Sequence, residues 1–154
     1  MKPTVFLRIA SVLTLVHSVL HTIAGVFGEP APGIGAATEA AMRANHFQVF
    51  GVTRSYWEFY RGMGLSVTIF LTAEALVFWL LATLAKKHAA ALRPILWVFA
   101  LAYLAFAVDS SIYFFSGPVI TEILIAACIL GAIVTARPVA ASTSLSHAEA
   151  GVGD

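Results

Sequence analysis

The sequence predicts an all-α membrane protein: a four-transmembrane-helix bundle with a short interfacial helix in its first extracytoplasmic loop. Three observations carry that prediction. Sixty per cent of the 154 residues are hydrophobic and only 11% are charged, against about 25% charged in an ordinary soluble domain. Mean hydropathy is accordingly high, at +0.89. Four apolar runs reach the ~20 residues needed to cross a hydrocarbon core of about 30 Å. Lys and Arg are also unevenly shared between the segments that flank those runs.

The first run, Val5 to Phe27, has Lys2 and Arg8 near its start, as a signal peptide would. It exceeds the ~7–15-residue apolar region of such peptides and is interrupted by His17 and His21, so it is read as a retained helix. Its Ser11, Thr14, Ser18, His21 and Gly25 recur at helical spacing and form a polar seam that should meet protein, with His17 at its edge. The next segment, Glu29 to Gly35, is too rich in Pro and Gly for regular structure. Glu39 to Phe50 then reads as a short helix with Thr38 as N-cap and an i,i+4 pair of Glu39 with Arg43, its Met42, Val49 and Phe50 resting on the membrane.

The remaining runs are Met63 to Ala85, Ile95 to Phe115 and Val119 to Ala136, the last two joined by the tight turn Ser116–Pro118. Within lipid every backbone polar group must be satisfied inside its own segment, so each run is a helix. Lys2, Arg8, Lys86, Lys87, Arg93 and Arg137, six cations, would lie on one side, and Arg43, Arg54 and Arg61, three, on the other. Both termini are therefore expected in the cytoplasm. Residues 1–137 make one transmembrane domain, and 138–154, small and polar without periodicity, read as a disordered cytoplasmic tail. Cys128 stands alone, which excludes an internal disulfide. A net charge of +1 supplies no basic stripe for nucleic acid.

Ionisable side chains inside the runs are the candidate site. His17 and Glu74 fall roughly at the midplane, while His21, Asp109 and Glu122 fall about 5–9 Å toward the outer side. An ionised acid at a helix centre costs roughly 2.5–3.5 kcal/mol even on lenient scales, so these groups are expected to face the interior and find partners there. They would form a ligand or ion pocket in the outward half of the bundle. His17 and His21, one turn apart, are also the candidate metal ligands, although a bare H-x-x-x-H lacks the further ligands of a metal site. No cofactor is required by the sequence.

A second group lies before the second run. Arg54, Glu58 and Arg61 are spaced for a charge ladder, with Trp57 and Tyr60 as an aromatic shelf and His46 upstream. Arginine suits bidentate recognition of phosphate, which makes this a candidate lipid-headgroup site. NHFQVFGVTRSYWEFYRGMGL, Asn45 to Leu65, with HSVLHTIAGVFG, His17 to Gly28, resembles a family of small bacterial four-helix integral membrane proteins with no assigned activity. The resemblance implies a bacterial inner-membrane location and the four-helix layout, and no catalytic residues. A likeness to DoxX-like proteins is one of architecture alone.

Three functions compete on these grounds. The first is a small-ligand or ion binding, transport-associated protein, homo-oligomeric through the small-xxx-small stripe Ala127 to Gly131. The second is a membrane enzyme or redox component using His17, His21, Glu74 and Asp109, which no catalytic motif supports. The third is an accessory subunit whose polar groups only lock the bundle.

Overall fold

The computed structural model describes residues 1–136; the segment read as a tail lies outside the described residues. Four stretches are long and apolar enough to cross a membrane: Pro3–Val26, Tyr56–His88, Ala90–Tyr113 and Ser116–Thr135. α1, Pro3–Leu20, starts on a proline at its first turn, where the missing N–H costs nothing. It continues through a π-helical turn, His21–Val26. α3, Tyr56–His88, is longer than predicted, beginning at Tyr56 rather than Met63. Its start is set by a capping box in which Ser55 N–H donates to Glu58 Oε2 at 2.7 Å and Glu58 N–H to Ser55 Oγ at 3.1 Å. A short 3₁₀ turn, Ala90–Leu92, leads into α4, Arg93–Tyr113, and α5, Ser116–Thr135, follows.

Between α1 and α3 the structure corrects one expectation. The helix there, α2, spans Ile34–Ala44 and stops well short of Phe50. Thr38 is no cap; it lies inside α2 and donates to Ile34 O at 2.8 Å. Residues His46–Val49 and Val52–Ser55 instead pair as antiparallel strands β1 and β2, closed by Phe50 and Gly51. Both turn residues have positive φ, 49° and 79°, the geometry of the tight hairpin turns whose twist matches that of the strands. Phe47 then packs on Tyr56 and Phe59 with ring centroids 5.0 and 5.6 Å apart, fixing the hairpin to the start of α3.

The bundle is antiparallel around α1. Small residues bring α1 close to α3 and α5: Ala10, Ala75, Ala82, Ala126 and Ala132 are all buried. α3 and α4 meet instead through rings, Phe78 on Phe99 at 5.0 Å and on Tyr103 at 6.0 Å. The outer faces carry exposed Leu, Ile, Val and Phe.

Gly131 is not part of a free association face. A Cβ there would come 2.7 Å from Phe6 Cε1, so the glycine admits the Phe6 ring between α1 and α5. Gly131→Leu is expected to destabilise the monomer by about 1–3 kcal/mol through overpacking, and Phe6→Ala in the same chain to recover part of that loss. Unfolding of the detergent-solubilised variants checks this; unchanged stability with a changed oligomeric state would restore the association motif.

Candidate functional site: a buried acidic core

α1 and α3 are zipped by a run of polar contacts. From the terminal end, Arg8 Nη2 donates to Thr83 Oγ1 at 3.0 Å while its guanidinium carbon lies 3.4 Å over the Trp79 ring. Ser11 Oγ donates to Ala75 O at 2.7 Å. Ser18 Oγ lies 2.9 Å from Thr72 Oγ1, and Thr22 Oγ1 the same distance from Thr68 Oγ1. His21 closes the zipper, its Nε2 donating to Gly64 O at 3.1 Å. A carbonyl can only accept, so this contact places a proton on His21 Nε2. The polar seam predicted on helix one is therefore present, and His21 belongs to it.

The centre of the bundle holds a different arrangement. Tyr103 of α4, 1% exposed, donates from its hydroxyl to Glu74 Oε2 of α3 at 2.8 Å. The same hydroxyl lies 3.3 Å from Thr14 Oγ1 of α1, and Thr14 donates to Ala10 O at 2.9 Å. Three helices thus meet in one hydrogen-bonded chain, Glu74, Tyr103, Thr14. A second acid lies on α5: Glu122, 7% exposed, accepts from Ser110 Oγ at 3.0 Å through Oε1, and its buried Oε2 has no partner among the described residues. Ser110 also lines a cavity of about 310 Å³ at the α4–α5 turn, walled by Phe114, Phe115 and Val119.

The two tiers expected from sequence do not assemble as such. Asp109 is exposed on the outside of α4, whereas its neighbour Ser110 turns inward to Glu122, because adjacent helical positions point about 100° apart. His21 is held by Gly64 on the other side of the bundle. His17 is half-buried, and its buried Nδ1 has no partner among the described residues; no hydrogen bond or ion pair joins it to Glu74. Nor do any three His, Cys, Asp or Glu among the described residues converge as metal ligands, so His17 and His21 remain a pair without a third group. Sequence reasoning missed Tyr103, Thr14 as its neighbour, and Ser110. Tyr103 did leave a signal: it is a tyrosine in the middle of an apolar run, where the amphipathic ring has no interface to reach.

The loop group is also rearranged. Arg54 lies in β2, exposed, donating to Thr53 O at 2.9 Å, and Glu58 is committed to the capping box, so no Arg54–Glu58–Arg61 ladder forms. His46 is exposed in β1, its Nδ1 donating to Ala44 O at 3.0 Å. Trp57 and Tyr60 do stack, with centroids 5.7 Å apart. Arg61 lies with its guanidinium carbon 4.6 Å over the Phe27 ring.

Tyr103→Phe is expected to cost about 1–3 kcal/mol, because it leaves the half-buried Glu74 carboxylate without its donor. In a Glu74→Leu background the same change should cost clearly less, which a double-mutant cycle by detergent unfolding measures. Equal costs in both backgrounds would uncouple the pair.

Compared with family models, curated proteins and solved structures, the chain matches none. The functional reading therefore rests on its own geometry.

Proposed function

We propose that this chain is a multi-pass protein of the bacterial inner membrane, with both termini cytoplasmic, whose acidic core takes up and releases a proton. The four long apolar helices and their aliphatic outer faces support the membrane location. Orientation is supported by charge: Lys2, Arg8, Lys86, Lys87 and Arg93 cluster at the terminal end of the bundle, and Arg43, Arg54 and Arg61 at the hairpin end.

The observation that carries the function is the chain through Glu74. Tyr103 and Thr14 each own one hydroxyl proton. With Glu74 ionised, Tyr103 donates to Glu74, and Thr14 has both Ala10 O and the Tyr103 oxygen to serve with a single proton. With Glu74 protonated, donation can run one way, from Glu74 to Tyr103 to Thr14 to Ala10 O, and every contact holds a proton. Adding a proton completes the chain, and removing it reverses the direction of donation. Such a relay suits a carboxylic acid in an apolar interior, where intramembrane acids mark ion and proton paths. Glu122, whose Oε2 has no partner among the described residues, gives a second acceptor, and the cavity at Ser110 gives water a route toward it from the hairpin end.

Infrared titration of the reconstituted protein tests the reading. A carboxyl C=O band should appear and vanish with pH in the parent and in Asp109→Asn, and should be lost in Glu74→Gln; a Glu74→Gln spectrum identical to the parent's across the titration overturns the assignment. Orientation is checked in Cys128→Ala cells. A cysteine at Gly51 should react with a membrane-impermeant maleimide from outside and one at Lys87 only after permeabilisation; the opposite pattern would invert the topology.

A further inference from the structure

A second site stands apart from the acidic core, at the hairpin end. After α1 the chain passes over the start of α3, and α2 lies against that start. Between them is a cavity of about 170 Å³ whose wall includes Phe27, Glu29, Glu39, Arg43, Trp57 and Arg61. The two arginines differ in what they have left to offer. Arg43 is committed: its Nε donates to Glu39 Oε1 at 2.8 Å, its Nη2 lies 2.7 Å from the same oxygen, and its guanidinium carbon is 4.6 Å over the Trp57 ring. Arg61 is half-buried and held over Phe27, yet among the described residues it has neither a hydrogen-bond acceptor nor an acidic partner. Trp57 lines the same wall, while its indole N–H is buried and has no acceptor among the described residues. A guanidinium in a concave wall with no acceptor among the described residues is free to take one, and its fork of N–H donors suits a two-oxygen group such as phosphate.

The depth of the cavity identifies the source of that phosphate. A Cβ at Gly64 would lie 3.0 Å from Val26 Cγ2, so Gly64 marks the level at which the π-helical turn after α1 ends, and Arg61 is about one turn beyond it. Tyr56, Trp57 and Tyr60 occupy the same two turns, the position of an aromatic belt at the headgroup layer. Glu29 stands exposed on the same wall without an ion-pair partner among the described residues, and gives the site an acceptor for an amine. We propose that this cavity binds the phosphate of a phospholipid headgroup, with Arg61 as its principal ligand. The proposal rests on the membrane location given above but not on proton uptake by Glu74.

Delipidated full-length protein in detergent, titrated with phosphatidylethanolamine and followed by native mass spectrometry, tests it. The parent should retain lipid, Arg61→Gln should bind about tenfold more weakly, Arg61→Lys should fall between, and Arg54→Gln should match the parent. Circular dichroism confirms that each variant is folded. Equal retention by the parent and folded Arg61→Gln overturns the site. Displacement of the lipid by millimolar inorganic phosphate, lost in Arg61→Gln, overturns the lipid as source and makes the ligand a soluble phosphate. Flotation of every variant with vesicles separates failure of this site from failure of the membrane location.

Discussion

Keeping the half-buried carboxyl of Glu74 inside a bundle built mostly of apolar side chains is the constraint around which this protein is arranged. Glu74 meets it through one donor, the Tyr103 hydroxyl at 2.8 Å. Tyrosine is the residue type that does this at the least cost to packing, because its ring fills apolar space while only its tip is polar. The ring of Tyr103 stands against Phe78 of α3, which also meets Phe99 of α4, and these contacts hold α3 and α4 apart at a width that a tyrosine spans. The position of the acid and the spacing of the two helices are thus one feature. A smaller residue at 103 would open a void in the core and orphan the carboxylate at the same time.

α1 solves the opposite problem. It must touch both α3 and α5 closely, and its interior face is accordingly built from Ala10, Ser11, Thr14 and Ser18, all buried. In the membrane location proposed above, no hydrophobic force draws helices together, so close approach and interhelical hydrogen bonds have to. Each bond is worth only about 0.6 kcal/mol on average, which is why the seam recurs turn after turn from Arg8 to His21 instead of resting on one contact. The hydroxyl of Thr14 is the place where this seam touches the acidic chain, so the glue and the relay share an atom.

Which parts of this were legible in the sequence follows from the range over which each signal acts. Helix count and the polar face of helix one depend on local composition and on the 3.6-residue period, and both can be read directly. The hairpin could not be read as easily: Met42 to Phe50 fits a helical stripe, and the strand signal lies in Val49, Val52 and Thr53 around a Phe-Gly pair in place of the more familiar Asn-Gly. That Asp109 points out while Glu122 points in is a matter of the rotation of α4 and α5 about their axes. In helices apolar on every side, such as these two, periodicity carries little information on rotation, and a cost argument that sends every acid inward then overreaches. Asp109 lies only one turn from the end of α4 at Tyr113, which in the membrane location proposed above is close enough for its carboxylate to reach the polar layer.

The two histidines separate on the same physical grounds. The turn from His21 to Val26 is π-helical, with Phe27 N–H donating to Thr22 O at 3.0 Å, and the extra residue in such a turn shifts the face that follows it. Here the shift delivers Val26 against Gly64 while His21, at the start of the wider turn, reaches the Gly64 carbonyl. His21 is thereby a terminal stitch of the α1–α3 seam, with its imidazole lying beside Gly25, where a Cβ would come 3.4 Å from Nδ1. His17, one turn earlier on regular helix, has no such commitment: its Nδ1 is buried without a partner among the described residues. A buried ring nitrogen left without a partner is costly to keep for packing alone. Of the two imidazoles, His17 is therefore the one whose presence calls for a functional explanation.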